Sequence, residues 1–205
     1  MQSVLLNGQK ITPSKVVCIG RNYVEHIEEL NNEVPTEPVI FVKPNSAISD
    51  EIATHPIDAV HYEAELSLII KDNQFMAAGI GLDLTKREVQ SRLKEKGLPW
   101  ERAKAFDKSA VFSEFVSLDN TNDVKLLRLV LLINDQVIQQ ADYDLMIYKP
   151  ADIVKQVSEF MSFENNDILM TGTPKGVGKI NLGDRFTSQL YNQDELLITQ
   201  TWVVK

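Results

Sequence analysis

The stretch from Tyr62 to Ile70 constrains this chain most. Tyr62, Ala64, Leu66, Leu68 and Ile70 alternate with Glu63, Glu65 and Ser67, and a period of two places successive side chains on opposite faces of an extended strand. The pattern predicts a half-buried strand with an apolar inner face and an acidic outer one. After Asn73 the chain returns through Met76 to Leu82 as a second strand. An antiparallel pair is therefore expected in the middle of the fold.

The other segments continue in the same style. Ser3 to Leu6, Asn7-Gly8 and Gln9 to Ile11 carry the two-residue turn of a type I′ hairpin. Val16 to Ile19 and Val39 to Val42 read as strands, separated by a short helix over Asn22 to Leu30 and by extended chain around the prolines at 35 and 38. Thr85 followed by Glu88 has the spacing of a capping box, which would open a helix closed by Gly97. Leu126 to Asn134 with Gln136 to Gln139 reads as a hairpin. Pro150 to Met161 has proline in its first turn and apolar residues at helical spacing, and Ile168 to Thr171, Asp184 to Leu190 and Leu196 to Val204 complete the strands. Strands outnumber helices without regular alternation, so the expected class is α+β with a mixed, mainly antiparallel sheet. No repeat or linker divides residues 1–205, which read as a single domain with a small hairpin over residues 1–14.

Charge and composition exclude several functions. Lys and Arg total 21 against 29 Asp and Glu, a net charge of −8, and such a field repels nucleic-acid backbones. The longest apolar runs, Leu66 to Ile70 and the Arg-interrupted Leu126 to Ile133, fall far short of the roughly 20 residues that span a bilayer. Met1 to Lys15 lacks the basic start and apolar stretch of a signal peptide. Cys18 is the single cysteine, so no intrachain disulfide forms and a reducing cytoplasm fits.

Chemistry concentrates on a few polar residues. Glu63 and Glu65 leave the same face of one strand, and Asp83 ends the next, where one chain reversal could bring it beside them. Three carboxylates without a soft ligand suit a hard cation, Mg²⁺ first and Mn²⁺ or Ca²⁺ next, with positions left open for substrate. The alternative is plain: strand acids often face water, and Asp83 could serve a turn. His26 and Glu29 share a helix face and could form a carboxylate-oriented base, or a surface ion pair. His55 sits in a proline-flanked loop and His61 borders the acidic strand as a weaker base candidate. Lys104 lies among small and apolar residues and could neutralise an anion, although lysines more often face solvent. The loop Thr171-Gly-Thr-Pro-Lys-Gly-Val-Gly178 lacks the dinucleotide and phosphate-loop patterns. It could hold a carboxylate or oxyanion, or make a tight turn.

Six motifs occur in one order: Gly20-Arg-Asn-Tyr23 with His26 and Glu29, Phe41-Val-Lys-Pro44, Glu63-Ala-Glu65, Leu82-Asp-Leu-Thr85, Gly97-Leu-Pro-Trp100 with Lys104, and the Thr171 to Gly178 loop. Together they resemble the fumarylacetoacetate hydrolase family, in particular its short members that act on acylpyruvates and oxaloacetate. The resemblance implies a β-roll or distorted barrel with flanking helices, usually a homodimer, with a divalent metal held by Glu63, Glu65 and Asp83. It implies a catalytic dyad of His26 and Glu29 on a helix that orders as a lid over a small keto-acid substrate. It implies a catalytic contact to substrate or water from Lys104, a similar contact from Gln90, a loop holding Thr171 that binds the substrate carboxylate, and anion contacts from Arg21 and Lys43. This chain departs from many relatives in the short connection between Glu65 and Asp83 and in an acidic, Gly-free lid segment over residues 28–37.

The expected activity is metal-dependent hydrolysis of a carbon–carbon bond in an acylpyruvate or related 2,4-dioxo acid, of fumarylpyruvate or acetylpyruvate type. The same metal-enolate chemistry suits an alternative: oxaloacetate decarboxylation or tautomerisation, or isomerisation of 2-hydroxyhepta-2,4-diene-1,7-dioate. A noncatalytic protein that binds metal or keto acid is the alternative from another class.

Overall fold

The computed structural model describes residues 1–29 and 37–205. At its centre the strands Ala64–Lys71 and Gln74–Asp83 pair antiparallel, with Glu65 opposite Gly81. Asp72 and Asn73 turn the chain at φ of +51° and +58°, as a type I′ hairpin demands. Around this pair runs a sheet in the order Val39–Pro44, Lys15–Gly20, Ile168–Met170, Ala64–Lys71, Gln74–Asp83, Ala110–Phe112 and Ile48–Ser49, with Val116–Ser117 also on Gln74–Asp83. Ile168–Met170 runs parallel to Lys15–Gly20 and Ala110–Phe112 parallel to Ile48–Ser49, while the other pairs are antiparallel. A four-stranded antiparallel sheet, Gln136–Asp142, Leu127–Ile133, Arg185–Asn192 and Glu195–Val203, packs against it. The architecture is mixed α+β, as the strand pattern predicts, and a curled half-barrel with few helices, as the resemblance implies.

The central strand is not half-buried. Every residue from Ala64 to Ile70 is buried, because both faces of the sheet are covered. Leu66, Leu68, Ile80 and Leu82 meet Leu129, Leu131 and Phe186 of the second sheet. On the other side Ile69, Ala77 and Met170 pack with Cys18, Phe112 and Phe115. The polar alternate positions therefore turn into an enclosed space, and period two alone does not distinguish that space from water.

Among the described residues, four α-helices frame this core: α1 (Val24–Glu29), α2 (Arg87–Glu95), α3 (Glu101–Lys104) and α4 (Pro150–Ser158). Helix α4 starts at its proline and buries Ile153, Val154 and Val157 against Val17, Ile19 and Leu169. Each such side chain contributes about 1.5–3 kcal/mol relative to exposure. Gly97 closes α2 at φ +61°, with Leu98 N–H donating to Leu93 O at 2.9 Å and Gly97 N–H to Lys94 O at 3.1 Å, the pattern of a Schellman motif. The expected capping box does not form. Lys86 is the N-cap residue without a side-chain cap, because the Thr85 hydroxyl donates to Asp83 O and accepts from the Lys104 ammonium. A bond from a buried cation outweighs one from a helix N–H. Most of the expected lid segment, residues 30–36 with the proline at 35, lies outside the described residues.

Candidate metal and keto-acid site

Glu63 sits between the strands Val60–Tyr62 and Ala64–Lys71, and Asp83 ends the return strand, its N–H donating to Glu63 O at 2.8 Å. That backbone bond fixes the approach of the two acids, and Glu65 lies one pleat further along. Glu63, Glu65 and Asp83 are each at most 5% exposed and offer carboxylate oxygens all within 4.8 Å of one another. Three buried carboxylates this close repel strongly unless cations offset them.

The chain supplies those cations. The Lys104 ammonium uses all three of its protons, donating to Glu63 Oε2 at 2.7 Å, Asp83 Oδ2 at 2.6 Å and Thr85 Oγ1 at 2.7 Å. Arg87 donates to Glu63 Oε1 and, at 2.8 Å, to Gln90 Oε1. Lys43, fully buried, lies 2.8 Å from Asp83 Oδ1 and donates to the carbonyls of Ser109 and Lys104. Burial alone would raise the Glu63 carboxyl, but Lys104 and Arg87 prevail and hold it well below the usual range. Glu65 goes the other way: burial first, then Asp83 and Glu63 beside it, push its carboxyl well up, against Lys104 and the Gly172 N–H that donates to it at 2.7 Å. Burial opposes the Lys104 charge, yet Asp83 and Glu63 win and keep it protonated.

The donor set fits a hard divalent cation. All three candidate ligands are carboxylates with oxygens within 4.8 Å of one another, and a carboxylate oxygen that meets one cation keeps a further lone pair for an ion. Lys104 holds the charge balance that such an ion would take over.

Around the acids the cavity is lined by Arg21, His26, Gln90, Lys94, Trp100 and Thr173, among others. Arg21 reaches it from a left-handed backbone, φ +61°, a conformation rare outside glycine and asparagine. Burial first, then Arg21 and Arg87, lower the Lys94 ammonium, so three cations crowd one wall. His26 is 5% exposed, with Nδ1 at 3.4 Å from Glu29 Oε2, a long contact. Burial pulls its imidazole below the ordinary value against the opposing effect of Glu63, which leaves it neutral near pH 7. Glu29 also accepts from Gly176 N–H at 3.0 Å, tying α1 to the glycine loop.

That loop requires its glycines. Gly172 has φ +93°, and a Cβ there would lie 2.6 Å from Asn22 Cβ. Gly176 has φ +96°, and its Cβ would meet Ile138 O at 2.3 Å. The substitution-intolerant turn brings the Gly172 N–H and Thr173 to the acids.

Two expected substrate contacts are placed otherwise. The Thr171 hydroxyl donates to Leu66 O at 2.9 Å and does not line the cavity; Thr173 does. Strand pairing with Ala64–Lys71 turns that side chain inward on the sheet. Lys43 stands behind Asp83, its ammonium spent on carbonyls, so it braces the acid instead of meeting an anion. Arg21, Gln90, His26 and Lys104 do line the cavity. His61 lies outside it on Val60–Tyr62, and His55 accepts from the Ile57 and Asp58 N–H groups. Sequence reasoning missed Arg87 and Gln139. The signal for Arg87 was its i, i+3 spacing to Gln90 on α2. Gln139 had none: it accepts from Ala64 N–H and donates to Thr173 Oγ1 and Pro174 O.

Known proteins match this arrangement along nearly the whole chain. The model of the fumarylacetoacetate (FAA) hydrolase C-terminal family matches residues 15–199. Oxaloacetate tautomerase YcgM of Escherichia coli (strain K12) is 39% identical over 190 residues, 85% of this chain and 87% of the relative. A crystal structure of a putative fumarylacetoacetate isomerase/hydrolase from Oleispira antarctica superimposes with a TM-score of 0.94 at 35% identity, covering 100% of both chains. Fumarylpyruvate hydrolase from Pseudomonas aeruginosa, solved in complex with Mn²⁺ and pyruvate, superimposes with a TM-score of 0.88 at 29% identity, covering 99% of this chain and 95% of that one. The curated relatives are mainly oxaloacetate tautomerases, which favours the tautomerase alternative over the carbon–carbon hydrolysis expected first. The motif order, the carboxylate cluster and these matches place the chain in the fumarylacetoacetate hydrolase family.

Proposed function

We propose that this chain is a divalent-metal-dependent oxaloacetate tautomerase, acting as one catalytic unit over residues 1–205. The observation that carries the reading is the cluster of Glu63, Glu65 and Asp83 beside a cationic wall. Arg21, Arg87, Lys94 and Lys104 face three carboxylates, so a bound divalent ion leaves a positive surplus suited to a dicarboxylate dianion. The E. coli relative is named for the same reaction.

Glu63, Glu65 and Asp83 would hold the ion, Mg²⁺ or Mn²⁺, which supplies a Lewis acid for the charge of an enolate. The chain's own residues do the rest. Arg21 and Lys94 attract the substrate carboxylates, and Gln90, oriented by Arg87, offers a hydrogen bond at the cavity floor. Glu29 accepts from His26 Nδ1, which leaves Nε2 as the base. Nε2 takes the proton from the enol hydroxyl and delivers it to C3, so the O–H bond breaks, the C3–H bond forms and nothing is lost. A neutral imidazole is required for the first half of this cycle, and burial provides it.

A second reading, fumarylpyruvate hydrolysis, draws support from the Pseudomonas relative and from the same dyad, which could activate water. Homodimer formation, expected from the resemblance, and a cytoplasmic location belong to the same proposal. Among the described residues, no helix is long and apolar enough to cross a membrane.

The test follows the ultraviolet decay of enol-oxaloacetate with Mg²⁺- or Mn²⁺-loaded protein, with acetylpyruvate and fumarylpyruvate in parallel. We expect metal-dependent tautomerisation, reduced about 10²–10⁴-fold in His26→Asn with metal binding retained. No metal-dependent acceleration would refute the proposal, and turnover of fumarylpyruvate alone would establish the second reading in its place.

A further inference from the structure

The metal cavity itself has a volume of only about 40 Å³, room for about one water molecule. A hydrocarbon tail on a 2-oxo acid finds neither room there nor a partner on the cationic wall, so it must extend into adjoining space. One neighbouring cleft qualifies. It has a volume of about 450 Å³ and shares Phe41, Trp100 and Lys104 with the cavity. Neither the groove of about 990 Å³ beside the N-terminal hairpin nor the pocket of about 410 Å³ beside His55 shares a lining residue with it.

The cleft lies between the edge strand Val39–Pro44 and the loop from Gly97 to Trp100. Val39, Val42, Leu98 and Pro99 give it apolar walls, and Leu98 keeps 47% of its surface exposed. Phe41 and Trp100, with ring centroids 5.9 Å apart at 54°, stand at the partition. Two charged residues line it, and neither suits an anion. Glu101 repels one, and the Lys104 ammonium is committed inward to Glu63, Asp83 and Thr85.

On the reading of the metal site proposed above, we infer that this cleft is the subsite for the far end of a 2-oxo acid and selects an apolar, aliphatic tail, with Trp100, Leu98 and Val39 as the specificity-determining residues. The carboxylate end stays with Arg21 and Lys94, and the tail passes Phe41 and Trp100 into the cleft. Oxaloacetate, whose far end is charged, keeps both carboxylates on the cationic wall and leaves the cleft empty. Larger substrates with hydrocarbon tails would use both spaces.

The test measures dissociation constants of pyruvate, 2-oxobutanoate, 2-oxohexanoate and 2-oxooctanoate for the Mn²⁺-loaded protein by calorimetry. We expect affinity to rise about two- to fourfold per added methylene. In Leu98→Asp the preference for 2-oxooctanoate over pyruvate should fall at least about tenfold, and Trp100→Ala should weaken it too. Ile57→Asp, on the rim of the pocket beside His55 and 87% exposed, should leave the preference unchanged. A flat or falling series in the wild type would overturn the inference while leaving the metal site standing, and would assign the cleft another occupant. A series that survives Leu98→Asp would overturn it equally. Failure of every acid, pyruvate included, to bind the loaded protein would overturn both this inference and the proposed function.

Discussion

Lys104 offers the sharpest test of the site's electrostatics. Its ammonium makes three bonds of 2.6–2.7 Å, two of them to carboxylates, at a position 3% exposed. Lys104→Met keeps most of the side-chain volume and removes the charge. Glu63, Glu65 and Asp83 would then face one another with Arg87 and Lys43 as their remaining close cations. Removing one partner from a buried ion pair costs about 3–5 kcal/mol. In a chain of 205 residues, where each kcal/mol shifts the melting temperature by about 2–4 °C, the metal-free variant should melt roughly 6–20 °C lower. A divalent ion offsets part of that loss. At 100 times its dissociation constant a ligand adds about 2.7 kcal/mol, and in the wild type part of that gain offsets weaker Lys104 bonds to the oxygens that the ion shares. The assay is thermal melting in chelator and in saturating Mn²⁺. The Mn²⁺-induced shift should be larger for Lys104→Met than for the wild type. Equal shifts, or a variant that melts within about 2 °C of the wild type in chelator, would refute the reasoning.

Two further substitutions probe the scaffold. Asp167 anchors the start of the strand Lys15–Gly20: it accepts from Ser14 N–H and Oγ, from the Lys15 N–H and ammonium, and from Glu164 N–H. Burial would raise its carboxyl, but the Lys15 and Ser14 bonds prevail and lower it; the stabilisation is therefore complete above about pH 4 and fades as pH falls through the lowered native value. Asp167→Asn should lose about 2–3 kcal/mol at pH 7, and the gap in urea midpoints should narrow in acid; a gap that is constant with pH would contradict the assignment. Gln139→Ala leaves the buried Ala64 N–H without its acceptor and frees the Thr173 loop, so it should cost about 1–3 kcal/mol and raise KM for oxaloacetate. An unchanged KM would show that the loop is held by other bonds.

The fold was legible where local patterns decide it. The Asn7-Gly8 turn, the proline start of α4 and the Gly97 stop of α2 each act within a few residues, and each appears in the structure. The burial of the polar face of Ala64–Lys71 was not legible, because it depends on Val4, Phe112 and Phe115, which come from distant parts of the chain. The capping box failed for a related reason: the partner that claims Thr85 is Lys104, on another helix. Within the site, the three acids and the His26–Glu29 pair announce themselves by residue type and spacing. Distinguishing Thr173 from Thr171 required knowing which loop residue still pairs in the sheet, and Gln139 looks like any surface strand glutamine until its loop contacts are seen.

A Mn²⁺ titration of the wild type, Glu65→Gln and Asp83→Asn, read by electron paramagnetic resonance, examines the metal centre directly. We predict a single tight ion per chain in the wild type. Loss of a residue that merely supports a ligand costs 10–100-fold in affinity, so loss of a ligand should cost at least about 100-fold in each variant. Affinity unchanged by both substitutions would contradict the account, since the ion would then be bound elsewhere.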